Sequence, residues 1–269
     1  MKTIIQLLAE ELGCKEEYVN NVVTLLDEGN TIPFIARYRK EAHGAMDDTA
    51  LRTLETRLQY LRNLQQRRDE VKSAVEAQGK LTDELARSID NAATLAEVED
   101  LYRPYKQKRR TRATVAKEKG LEPLADAIFA QDRNGKAPEE LAKDFLNPDL
   151  GVETIEDALS GASDIIAERI SDDAELRKSL RARMQKSALC ESKAAKEDED
   201  SVYRLYYDFH QPVSKLQSHQ VLALNRGEKE GYLKVALDLD RMEAMQLIQR
   251  RVVKHASPAM AFLAAAAED

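Results

Sequence analysis

The chain has 269 residues, 43% of them hydrophobic but only 5% aromatic, with no Trp, a third charged and a net charge of −7. Ten Gly and seven Pro are few for this length, which disfavours a turn-rich β architecture and predicts long helices packed through aliphatic ridges. The longest apolar run, 259–267, is too short to cross a bilayer, which argues against a membrane protein.

The first segment, MKTIIQLLAEELG, is interrupted by Glu10 and Glu11 and reads as a helix, not a signal peptide, with Thr3 as cap and Gly13 as stop. Tyr18, Val22 and Leu25 repeat at helical spacing up to Gly29, and Pro33 suits the first turn of a short third helix, IPFIARYRKE. Three short helices with tight joints predict a helix-turn-helix-like N-terminal part. From about Asp48 to Gln78 there is no Gly or Pro, and Leu51, Leu54, Leu58, Leu61, Leu64, Val71 and Val75 form one stripe. A helix of roughly 30 residues is about 45 Å long and is expected to be a spine for the others.

Thr94 and Glu97 predict a capping box for TLAEVEDLY, and Pro104 stops that helix. A helix begun in the basic stretch closes at Gly120; Pro123 and Pro138 open two more, and NPDLG is a loop. Thr154 caps a helix carrying Ile155, Leu159, Ile166 and Ile170, with Gly161 weakening its middle; Leu176, Leu180 and Met184 mark another. SKAAKEDEDS, 192–201, is small and charged and is expected to be an exposed joint. YRLYYDFHQPV fits helix or strand, and Ser218 is expected to cap a helix ending at Gly227 or Gly231. YLKVALDLD alternates strictly and predicts a strand near 231–239 that needs a partner. Ser257 and Pro258 start a final helix that stops without a cap, as expected of a fragment of something longer. The expected fold is mainly α, in three segments: 1–79, 80–195, and 196–269 as the start of a further region.

Catalysis is not expected. His43, His210, His219 and His255 have no ligand spacing, and Cys14 and Cys190 stand alone, so neither a metal nor a cofactor is expected. RNGKAPEE offers only a lone Gly-Lys, no G-x-S-x-G occurs, and Asp240 reads as a helix cap beside Asp238. Two isolated thiols that need no disulfide fit a reducing cytoplasm.

The chemistry lies in charge. Residues 101–120, LYRPYKQKRRTRATVAKEKG, hold eight Lys or Arg against one Glu inside an acidic chain. Arg103, Lys106, Lys108, Arg109, Arg110 and Arg112 are candidates for phosphate contact, which releases counterions without sequence choice. Tyr102 and Tyr105 are candidates for base stacking. The competing reading pairs part of this cluster with Glu97, Glu99 and Asp100. A second candidate is Arg37, Arg39 and Lys40 with Tyr38 on the third short helix, where a recognition helix would meet DNA. Against it, Phe34 and Ile35 are expected to face the core, and Asp27, Glu28 and Glu41 dilute the charge.

TIPFIARYRKE (31–41), LRTLETRLQYLRNLQQRR (51–68), QGKLTDEL (78–85), EDLYRPYKQKRRTRA (99–113), KEKGLEPLAD (117–126) and SHQVLALNRGEKEGYLKV (218–235) resemble, in order, the N-terminal part of the Tex family of bacterial transcription accessory proteins. EAHGAMDD departs from the family pattern, which has a Thr near His43 and a second Gly near Ala45. The resemblance implies a helix-turn-helix-like subdomain and a long central helix. In the family these precede RNase-H-like, helix-hairpin-helix and OB-type RNA-binding domains that this sequence does not contain. It further implies RNA or DNA as partner, bound weakly by this part. The alternative is a scaffold that docks onto RNA polymerase, another transcription protein or the family's C-terminal domains.

Overall fold

The computed structural model describes residues 2–44, 46–196 and 202–268. They form two compact units, Met1–Tyr105 and Lys106–Asp269. This division differs from the expected segment limits at 79 and 195. The helices after Gly79 share the core of the first unit, and the basic stretch is divided: 101–105 belongs to the first unit and 106–120 goes with the helices that follow.

The first unit contains α1 (Ile4–Leu12), α2 (Glu16–Asp27), α3 (Ile32–Tyr38), α4 (Lys40–His43), α5 (Asp48–Glu76), α6 (Asp83–Asn91) and α7 (Leu95–Tyr102). All seven apolar residues of the α5 stripe are buried, each contributing about 1.5–3 kcal/mol. As expected of a spine, α5 contacts α1, α2, α3, α6 and α7. Thr3 and Gln6 form a capping box on α1. At α7 the Thr94 hydroxyl accepts from the Glu97 N–H, but the Glu97 carboxylate accepts from the Ala93 N–H, so the expected reciprocal box is offset by one residue. The third helix is shorter than expected. It ends at Tyr38, and Arg39 (φ −128°, ψ 38°) breaks the chain before α4. Within EAHGAMDD, His43 is buried, while Ala45 lies outside the described residues.

The second unit contains α8 (Arg112–Glu118), α9 (Glu122–Ala130), α10 (Pro138–Ala142), α11 (Ile155–Asp172), α12 (Ala174–Ser187), β1 (Leu189–Ala194), β2 (Asp208–Pro212), α13 (Ser218–Lys229), β3 (Leu233–Asp238), α14 (Arg241–Val252) and α15 (Met260–Ala266). Its hub is α11, which contacts α8, α9, α10, α12 and α15. Gly161 has a packing reason: a Cβ there would stand 2.4 Å from Leu121 and 3.2 Å from Ala116, so its absence lets α11 approach α8 closely. Gln131, buried and left-handed at φ 56°, ties α9 to the end of α14. Its Nε2 donates to the Val252 carbonyl at 2.8 Å and its Oε1 accepts from the Lys254 N–H at 3.0 Å.

The expected strand β3 is the edge of an antiparallel three-stranded sheet ordered β2-β1-β3. Its partner is unexpected. Cys190 pairs with Gln211 on one side and Leu237 on the other, so β1 is the centre of the sheet. Residues 192–194, expected in an exposed joint, are part of that strand, with Ser192 buried; 197–201 lie outside the described residues. Pairing on both edges outweighs the weak strand preference of LCESKA. YRLYYDFHQPV divides into a 3-10 turn, Arg204–Tyr206, and β2. Ser218 is the first residue of α13, not its cap, and Gly227 lies inside the helix, which ends before Gly231. The last helix starts at Met260, after a turn at Pro258.

Candidate nucleic-acid interface

Pro104 cannot continue α7, so the chain passes through a 3-10 turn, Arg103–Tyr105. Tyr102 and Tyr105 are half-buried against the core of the first unit. The Arg67 guanidinium lies 5.5 Å from the Tyr102 ring centroid, and the Tyr105 carbonyl accepts from Gln78 Nε2 at 3.0 Å. These two rings pack in part against the core of the first unit. Lys106–Arg110 has no regular structure; the helix expected within the basic stretch begins only at Arg112, where the Thr111 hydroxyl accepts from the Thr114 N–H at 3.1 Å.

The positive charge of this stretch meets an acidic ridge. Asp164, Glu168 and Asp172 recur every four residues on α11 and so share one face. Lys108 pairs with Asp172 and, at 3.3 Å, with Glu168. Thr111 donates to Glu168 at 3.1 Å, and Lys117 pairs with it at 3.5 Å. Arg112 pairs with Asp164 at 3.2 Å, and Arg110 with Glu118 at 3.0 Å. Lys119 donates to the Gly151 carbonyl at 2.9 Å. Burial pushes the Glu168 carboxyl up, but Lys108, Thr111 and Lys117 outweigh it and hold the group below the ordinary glutamate range.

These pairs are unequal. The Lys108 side chain is 26% exposed against carboxylates at 10% and 18%, so it is a structural pin. Arg110 and Arg112 are each 71% exposed, and such pairs contribute about 0–1 kcal/mol. Arg109 has no ion pair among the described residues, and Arg103 and Lys106 are exposed. The carboxylates of the competing reading are placed elsewhere in part: Glu99 pairs with Arg67 at 2.6 Å.

The second basic stretch has the opposite setting. Arg37, Arg39 and Lys40 are exposed, and among the described residues none has an ion pair. Asp27 does not dilute their charge, because Arg62 binds both its oxygens at 2.7 and 2.8 Å and holds the carboxyl below its ordinary value. Glu41 is the single carboxylate within 34–41. Ile35 is fully buried as expected, but Phe34 is not: it is 36% exposed and Tyr38 58%. Their ring centroids are 5.3 Å apart at a 47° tilt, with Arg39 5.5 Å from the Phe34 centroid and Arg37 5.9 Å from that of Tyr38. Periodicity contained this signal. Ile32 and Ile35 set the buried face of α3, and Phe34 lies about 200° round the helix from Ile32, four residues before Tyr38.

Among the described residues no group of three or more His, Cys, Asp or Glu has the geometry to hold a metal ion, and no helix is long and apolar enough to cross a membrane. Both cysteines are free.

Comparison with known proteins matches residues 2–76 to the family model described as Tex-like protein N-terminal domain and residues 133–268 to the Tex central region-like model. The sequence is 47% identical to Protein tex of Bordetella pertussis over 88% of this chain and 30% of the relative. It is 43% identical to the transcriptional accessory protein Tex of Neisseria gonorrhoeae, over 87% of this chain and 31% of the relative. A human relative, S1 RNA-binding domain-containing protein 1, is 30% identical over 88% of this chain and 24% of its own length. The chain spans about a third or less of the length of these curated relatives. With α5 closing the first matched region and the α11 hub inside the second, the chain belongs to the Tex-like protein family.

Proposed function

We propose that this chain supplies an accessory, sequence-indifferent nucleic-acid-binding surface to a cytoplasmic protein that works in transcription. The observation that supports it most is the exposure of Arg37, Arg39 and Lys40 without a carboxylate partner among the described residues. Cations in that state have no carboxylate to give up, and phosphates release their own counterions on meeting them. In the second unit, Lys106, Arg109, Arg110 and Arg112 are separate, weaker candidates, since the last two can exchange weak surface pairs for phosphate; Arg103, in the first unit, is exposed. Lys108 contributes least, because its ammonium is held between the buried Asp172 and the Glu168 carboxylate. The names of the gonococcal and human relatives, one a transcriptional accessory protein and the other carrying an S1 RNA-binding domain, fit this setting. With the chain at −7 overall, affinity is expected to be modest. The role is one of binding and not of catalysis, with no cofactor.

A salt titration of binding to labelled RNA and duplex DNA tests the proposal. Three phosphate contacts on a single strand give a slope of log K on log salt of roughly −2. A second reading, docking onto RNA polymerase or another transcription protein, draws on the same exposed aromatic and Arg side chains, the residue types that dominate protein interfaces. A flat salt response with both nucleic acids would favour it.

A further inference from the structure

We infer that the outer face of α3 is a stacking site for single-stranded nucleic acid, with Phe34 and Tyr38 receiving bases and Arg37, Arg39 and Lys40 receiving the adjoining phosphates. The inference rests on the nucleic-acid reading above and narrows it. Ile32 and Ile35 already hold α3 in the core of the first unit, so the two rings are not needed as anchors. Large aromatic side chains are scarce in this chain, at 5% of residues, and two of them stand in solvent one helical turn apart. Each ring has a guanidinium within 6 Å, so flat cations and π-faces alternate along the turn.

That combination selects a strand over a duplex. In a duplex the base faces are hidden against one another, and only base edges and phosphates are offered to protein. In a single strand the faces are open, and aromatic rings and guanidinium planes are the side chains that take them. At seven residues α3 is only about 10 Å long, and Phe34 has no donor or acceptor with which to read a base edge. Stacking is the contact left to it, and it is indifferent to sequence because every base has a face.

The test uses the full chain with three labelled ligands: a short oligouridine, an abasic strand of the same length, and a DNA duplex. Phe34→Leu and Tyr38→Leu remove the π-face at exposed positions while keeping apolar volume. Each is expected to weaken oligouridine binding roughly ten-fold or more, with the abasic strand and the duplex unchanged. Because the chain has no Trp, Tyr38→Trp places a single indole in the site, and its fluorescence should be quenched by oligouridine and not by the abasic strand. Equal losses on oligouridine and abasic strand, or no quenching, would overturn stacking while leaving the phosphate reading intact. Absence of salt-sensitive binding to any of the three would remove both and leave α3 to a protein partner.

Discussion

Residues 106–119 and residues 34–41 are both rich in Lys and Arg, yet their charges are held differently. The first stretch is dense and largely occupied: Lys108, Arg112 and Lys117 reach the α11 ridge, and Arg110 reaches Glu118. The second is sparse and open, with three cations lacking carboxylate partners among the described residues and two rings in solvent. Density of charge along a sequence measures how strongly a segment must be compensated. It does not say whether the compensating group is a phosphate or a carboxylate of the same fold.

The largest effect expected from breaking this contrast is on stability. Replacing Glu168 and Asp172 together by Gln and Asn strands Lys108, and should cost the second unit about 2–3 kcal/mol, less than for a fully buried pair because Lys108 keeps 26% exposure. Hydrogen exchange of the α8 and α11 amides reads this unit separately. The same group sets a pH dependence. Glu168 is held below the ordinary value of 4.5, so its contribution is present above that pH and is lost as pH falls through the lower folded-state value. Protection of the α11 amides, corrected for the intrinsic pH dependence of exchange, should therefore fall below about pH 4.5 in the native protein, and Glu168→Gln should flatten that fall. A native α11 indifferent to acid would mean that the ridge does not hold the basic segment.

Next in size is the seat on which that segment rests. Gly161→Ala places a methyl group against Leu121 and Ala116, and such overpacking costs roughly 1–3 kcal/mol. Thermal unfolding followed by hydrogen exchange should show the loss confined to the second unit. The smallest effect expected separates the two stretches by binding. Reversing Arg37, Arg39 and Lys40 should flatten the salt dependence by roughly 2 on a single strand, whereas reversing Arg109 and Arg110 should change it by about 1.4 or less. The reverse ranking would return the site to the denser stretch.

The sequence made some of this legible and hid the rest for physical reasons. The α5 spine could be read because its stripe is local and uninterrupted for 29 residues. The strand β3 could be read because it alternates, but not β1, whose six residues lack any β-branched side chain and take their conformation from partners 15 to 49 residues away. The ridge of Asp164, Glu168 and Asp172 has a four-residue spacing, which marks a shared helix face and nothing more. Nothing local says which segment such a ridge will face. The exposed Phe34 was obscured by hydrophobicity itself, since an apolar ring in a helix is ordinarily inside, and only the angular position relative to Ile32 and Ile35 places it out.

The tie made by Gln131 bears on how the chain is made as well as how it stands. Its two hydrogen bonds close loops of 121 and 123 residues, and Leu263 and Ala266 complete the same core. The first unit can close once residue 105 has cleared the ribosome, because its spine and all that packs on it have already been translated. The second must keep α9 and α11 waiting, apolar faces uncovered, until residues 252–266 emerge. Nascent chains halted between about residues 140 and 250 would then be the species that chaperones meet and that aggregate.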